Sequence, residues 1–91
     1  MILEIVSPEA TLFTGEVVAV SVPGTDGSFQ MLNNHAPIVA ALKEGTVAIK
    51  GQVTVANQYE ALFRKEGDTT LLDITSGTVE MNANKVILLI D

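Results

Sequence analysis

The chain has 91 residues, 47% of them hydrophobic, and carries 11 acidic against 5 basic residues for a formal net charge of −6. That length holds one domain and excludes two. The absence of cysteine excludes disulfides and thiolate metal sites, and the scattered lysines and arginines exclude the clustered cation patch that phosphate-backbone contact needs.

Short strands and turns follow one another along the chain. Residues 2–6 are apolar except for Glu4, and Pro8 ends them. Val17 to Val22 is β-branched and nearly all apolar, which predicts a strand covered on both faces. The cluster Pro23-Gly24-Thr25-Asp26-Gly27 is a turn, and Phe29, Met31 and Leu32 resume an apolar stretch. Asn33-Asn34-His35-Ala36-Pro37 breaks the chain, with Ala36 pushed towards extended geometry by the proline after it. Ile38 to Leu42 is apolar, and Lys43-Glu44-Gly45 turns.

In the second half, Thr46 to Lys50 alternates, with Val47 and Ile49 on one face, and Gln52 to Val55 alternates in the same way. Residues 56–66 carry two periods. Tyr59, Leu62 and Phe63 have helical spacing, while Tyr59, Ala61 and Phe63 alternate. A strand is expected, because Glu66-Gly67-Asp68 then closes a hairpin to residues 69–75. Ser76-Gly77 leads into residues 78–81, Asn82 to Lys85 turns again, and Val86 to Ile90 reads as a buried central strand. The result is an all-β fold: a small β-sandwich of about ten short strands, with no long helix, over residues 1–91. No apolar run approaches the ~20 residues of a spanning helix, so membrane association is expected to go through a protein partner.

Motifs for chemistry are missing. No glycine-rich phosphate loop or zinc-binding H-E-x-x-H occurs, and a serine hydrolase would have to rely on His35 as its sole base, without a G-x-S-x-G elbow. No catalytic, cofactor-binding or metal-binding residue is expected. His35 reads as either an interface contact or a loop histidine bonded locally. Phe29 reads as core or contact, and Gly24 and Gly27 as turn residues.

Several elements in order resemble the β-sandwich domain of the ε subunit of F-type ATP synthases. Ser7-Pro8-Glu9 and Phe13-Thr14-Gly15 follow the opening strand, as in that family. Pro23-Gly24-Thr25-Asp26-Gly27-Ser28-Phe29 is similar to its P-G-x-x-G-x-F, Asn34-His35-Ala36-Pro37 to its N-H-A-P, and Ala41-Leu42-Lys43-Glu44-Gly45 to its A-L-K-x-G. Ser76 to Met81 and Asn84 to Asp91 resemble the closing hairpin. The P-G-x-x-G-x-F and H-A-P elements at their proper spacing form the specific part of the signal. Gln30 and Asn33 depart from the Gly and Pro usual there, and residues 51–66 follow the pattern least. Family members often continue into a helical hairpin that in some binds ATP. Here the sequence stops at Asp91, and its start at Met1 leads us to expect a naturally short ε subunit.

The resemblance implies a non-catalytic rotor subunit in the central stalk. It would link the γ subunit to the c-ring and help couple proton flow to ATP synthesis, at the cytoplasmic face of a bacterial inner membrane without inserting into it. No cofactor and no tight ATP binding are implied. It places Ser28, Phe29, Gln30, Met31 and His35 at the end that meets the c-ring and γ, on loops at one tip. Phe29 or Met31 would anchor there, and Gln30 and His35 would hydrogen-bond. It places Ser7, Pro8, Ile38 and Leu42 at a γ-facing side. The other class left open by the residues is a free-standing β-sandwich adaptor with another protein partner.

Overall fold

The computed structural model describes residues 1–91. Its strands are β1 (Ile2–Val6), β2 (Thr11–Glu16), β3 (Ala19–Gly24), β4 (Gly27–Leu32), β5 (Ile38–Leu42), β6 (Gly45–Lys50), β7 (Phe63–Glu66), β8 (Thr69–Ile74), β9 (Gly77–Asn82) and β10 (Lys85–Ile90), with a 3-10 helix over Asn57–Leu62. They form one curled sheet in the order β2-β1-β10-β9-β5-β3-β6-β8-β7, with β4 paired to β3. The curl makes two leaves, β2-β1-β10-β9-β5 and β4-β3-β6-β8-β7. The strand pairing that joins them is narrow: within β3 and β5, only Gly24 and Leu42 are register partners.

Alternation along the strands fills the space between the leaves. Leu3, Ile5, Val20, Val22, Met31, Val47, Ile49, Val79, Met81, Val86 and Leu88 are all essentially excluded from solvent. Each such aliphatic side chain contributes about 1.5–3 kcal/mol relative to exposure, and together they substitute for the aromatic mass this composition lacks. β10 is central, as its sequence suggests. It pairs parallel with β1 and antiparallel with β9. One of its faces is nonetheless open, since Leu89 is exposed.

Three details differ from the sequence reading. Thr11–Glu16 is a strand although its composition did not single it out; its backbone bonds to β1 with a register shift between Ile5 and Val6. The strand expected over Val17–Val22 instead covers Ala19–Gly24, so Pro23 and Gly24 lie inside it. Proline is tolerated there because β3 changes neighbours at that point, from β6 to β5, and needs no ladder donor. Val18, expected to be covered, is exposed.

The third difference lies between Gln52 and Leu62, where no strand forms. The helical spacing of Tyr59 and Leu62 prevails as the 3-10 helix, and only Phe63–Glu66 makes the expected hairpin with β8. The reason is the edge. β7 takes the free side of β8, so residues 52–55 have no ladder to join. Val53 instead turns inward and is buried, and its carbonyl accepts a hydrogen bond from Lys65 Nζ at 2.6 Å.

The β9–β10 turn puts Ala83 at φ 50° and Asn84 at φ 61°. A two-residue hairpin turn of this hand needs positive φ at both central positions, which suits asparagine and strains alanine by roughly 1–2 kcal/mol. Ala83→Gly is therefore expected to raise unfolding stability by about 0.5–1 kcal/mol in urea titration, with loss of stability contradicting the turn. Leu88→Ala should cost about 2–5 kcal/mol in the same assay. Val39→Ala, on the open face, should stay within about 0.5 kcal/mol of the parent. Equal losses at the two positions would contradict the assignment of the core.

Candidate protein interface

The hairpin β3–β4 builds the first half of the site. Gly24 and Gly27 pair across a two-residue turn, Thr25-Asp26, and Gly27 supplies the positive φ of 125°. A Cβ on Gly24 would come within 2.6 Å of the Gly27 carbonyl oxygen, so close approach demands glycine at one end of the turn and backbone conformation demands it at the other. The register then runs Val22↔Phe29, Ser21↔Gln30, Val20↔Met31 and Ala19↔Leu32. Alternation turns Phe29 and Met31 inward and leaves Ser28, Gln30 and Leu32 exposed.

The hydrogen-bond phase of this hairpin is fixed by its turn. Positions Gly24/Gly27, Val22/Phe29 and Val20/Met31 exchange backbone bonds, while Ala19, Ser21 and Pro23 address the other side of β3. Consistent with this, the Pro23 carbonyl accepts from the Lys43 N–H at 2.9 Å. On β4 the backbone groups of Ser28, Gln30 and Leu32 therefore point away from β3. The Leu32 carbonyl accepts from the His35 N–H at 3.1 Å. β4 has no second strand partner.

The other half is β5. Its residues 38–41 face the hairpin tip across an open groove of about 670 Å³, lined by Gly24 to Phe29 on one side and Ile38 to Ala41 on the other. The two walls touch through a 3.0 Å hydrogen bond from the Thr25 N–H to the Ala41 carbonyl. Phe29 and Ile38 are half-buried against the core, whereas Val39 is 75% exposed. Asp26 is the only charged residue in the lining.

The expected site residues are thus regrouped. Ser28, Phe29 and Ile38, assigned by resemblance to two different surfaces, share this groove. Ser28 to Gln30 belong to a strand and not to a loop. Met31 is wholly buried, so the anchor expected of it is not on the surface; its inward alternation makes it part of the core. Leu42 is buried as well, at the junction with Gly24. His35 follows the far end of β4, and four residues of strand, about 13 Å, separate Ser28 from Leu32. The single tip expected from a bend at Leu32 does not form.

His35 is half-buried, with Nδ1 at 2.7 Å from the Ala36 carbonyl oxygen. A proton on Nδ1 makes that bond and leaves Nε2 an acceptor. The neighbouring backbone is braced too. Asn34, at φ 63°, donates its N–H to Asn84 Oδ1 at 2.8 Å, and the Met1 ammonium donates to Asn33 Oδ1 at 2.6 Å. Ser7 and Pro8 lie elsewhere, in the β1–β2 connection. The Ser7 hydroxyl donates to the Ala10 carbonyl and accepts from the Ala10 N–H, a local turn brace. Ser7 borders a second cavity of about 490 Å³ with Leu12, Tyr59, Leu62, Leu72 and Ile90.

Two exposed residues escaped the sequence reading: Val39, and Leu32 at 52% exposure. The alternation Ser28-Gln30-Leu32 is a usable signal for Leu32. Val39 sits in an unbroken apolar run, which hides its face until its register opposite Glu80 is known.

Titratable groups offer no acid–base pair. Arg64 Nη1 donates to Asp73 Oδ2 at 2.5 Å, and Thr46 Oγ1 donates to Asp73 Oδ1 at 2.8 Å, all on the open face. The hydrogen bond from Arg64, then that from Thr46, holds the Asp73 carboxyl below its usual range, and Arg64 is raised in turn, first through the hydrogen bond to Asp73. A depressed carboxyl of this kind contributes stability above its ordinary range and loses it as pH falls through the folded value. Solvent exposure keeps that contribution small.

A family model for the β-sandwich domain of the ATP synthase delta/epsilon chain matches residues 1–91. The chain is 40% identical over 87 residues to an ATP synthase epsilon chain of Chlorobium limicola, covering 96% of this chain and 84% of that one. It is 38% identical to the epsilon chain of Chlorobaculum tepidum over the same shares. Other relatives are longer: the chain spans 52% of the Dichelobacter nodosus epsilon chain, at 33% identity. Among solved structures, the fold is similar to a chain in the central stalk/c-ring of the Tetrahymena thermophila mitochondrial ATP synthase, with TM-score 0.73 and 16% identity over 99% of this chain and 62% of that one. A chain of the Euglena gracilis mitochondrial ATP synthase, with TM-score 0.74 and 18% identity, is covered to 49%. From residue 1 to residue 91, sequence and fold agree: the chain belongs to the ATP synthase delta/epsilon-chain family.

Proposed function

We propose that this protein is a non-catalytic stalk subunit of an F-type ATP synthase, with residues 1–91 acting as one rigid unit that links the γ subunit to the c-ring. The observation that carries the reading is the family match along the whole chain, with P-G-x-x-G-x-F and H-A-P intact at Pro23–Phe29 and His35–Pro37. Physically, a rotor linker needs stiffness and surfaces more than chemistry. A sheet that closes on one core supplies the stiffness. Turns, edges and half-buried apolar residues supply the surfaces. Torque then passes through the domain as a solid body, and proton flow is coupled to ATP synthesis by the contacts it makes at either side.

No helix is long and apolar enough to cross a membrane. On the family match, the protein is read as a peripheral component at the cytoplasmic face of a bacterial inner membrane, held there by its partners. Ser28, Phe29 and Ile38 at the groove, the backbone of Gln30 beside it, and His35 beyond it are the groups that meet γ and the c-ring.

An affinity-tagged copy expressed in its own host is expected to bring down γ and the c-ring from detergent-solubilised membranes; recovery without synthase subunits would overturn this function. The purified chain should neither hydrolyse ATP nor show micromolar ATP affinity by calorimetry. His35→Ala should leave the melting temperature within a few degrees, because its hydrogen bond is local, yet weaken retention of the rotor assembly. Unfolding of that variant would instead make His35 a brace of the fold.

A further inference from the structure

β4 is an undefended edge. Its free side presents the N–H and C=O of Ser28 and Gln30, since the turn-fixed phase of the β3–β4 hairpin directs both residues' backbone groups away from β3. No turn or loop bond takes them up. Proteins ordinarily protect such an edge with charge, proline, a bulge or a cover. The two outermost edges of the sheet path are protected: β7 reads Phe-Arg-Lys-Glu, and β2 carries Glu16 and pairs through a register shift. β4, Gly-Ser-Phe-Gln-Met-Leu, has six residues without a charge or a proline. An unpaired, uncharged edge of this kind is a template for another strand.

The surroundings specify what that strand is like. Beside the edge lies the groove between β4 and β5, floored by the half-buried Phe29 and Ile38 with Val39 exposed on its rim. A partner side chain entering it meets apolar surface and one carboxylate, Asp26. The protein as a whole is also acidic. The complementary segment is therefore extended, apolar at the position that enters the groove, and basic where it passes Asp26.

We infer that β4 accepts an extended segment of a neighbouring rotor polypeptide by strand addition, its backbone bonding to Ser28 and Gln30 while an apolar side chain fills the β4–β5 groove. This deepens the proposed stalk role and rests on it. Main-chain bonding gives such a contact its strength, and the groove and Asp26 give it register and selectivity. The same arrangement explains why Gln30, exposed and without a side-chain partner, belongs to an interface: its backbone is what engages.

The test separates backbone from side chain. In the synthase purified from membranes, the amides of Ser28 and Gln30 should exchange with deuterium at least tenfold more slowly than in the isolated chain. Gln30→Pro removes the outward N–H at an edge position where proline is tolerated. It should lower retention of the chain in the complex at least tenfold, while Gln30→Ala retains it. Gln30→Lys, which adds an edge charge, provides a second variant whose fold is checked by its melting curve. Equal binding by Gln30→Pro, or equal loss by Gln30→Ala, overturns the inference. So does free exchange of both amides in an assembled synthase that contains the chain. Protection that appears in the isolated chain and grows with its concentration assigns β4 to a second copy and likewise overturns it. If the chain is absent from the purified synthase, the stalk function itself fails, and this inference with it.

Discussion

The parallel pairing of β1 with β10 is the contact on which the rest of the fold depends. It joins the first five strand residues to the last six, with Ile2 opposite Lys85 and Val6 opposite Leu89. Parallel neighbours cannot be made by a tight turn, so nearly the whole chain forms the connection between them. Leu3 and Ile5 on one strand and Val86 and Leu88 on the other are fully buried at this seam. Its closure cost is entropic and is met only when both leaves are in place, which makes the domain cooperative.

From that seam the sheet grows outward by antiparallel pairings. β9 follows β10 through the Ala83-Asn84 turn, β5 pairs with β9, and the chain crosses to the second leaf at Gly24 and Leu42. The narrow junction has a consequence for the surface. β5 runs on past the end of β3, and the space between it and the β3–β4 tip opens as the groove at Phe29, Ile38 and Val39. The candidate interface is thus a by-product of how two leaves of one sheet meet, and its walls are as stiff as the core behind them.

Stiffness and surface suit a stalk subunit whose contribution is mechanical. The pinned loop from Asn33 to Pro37 shows the same economy. Asn33 holds the chain's amino terminus, Asn34 is held by Asn84, and His35 bonds its neighbour's carbonyl. Three polar residues in a row are thereby committed or oriented, and the first of them helps satisfy the buried amino terminus. The large apolar side chain left facing outward at this end is Leu32.

The sequence by itself determined the all-β class, most strand positions and the family, because alternation, turn glycines and spaced motifs are local properties. It marked Phe29 and Ile38 as residues of interest, and Val86–Ile90 as a central strand. It carried, in the alternation Ser28-Gln30-Leu32, a signal that Met31 faces inward, but it could not place Val39 outside, since an unbroken apolar run does not say which face meets the core; the pairing with Glu80 decides that. It also could not settle residues 52–62. Their alternation was real, but β7 takes the free side of β8, and edge occupancy is a property of the assembled sheet. Only the tertiary structure brought Ser28 and Ile38 together and set His35 apart, because a register and a junction, unlike a motif, exist only once distant strands have paired.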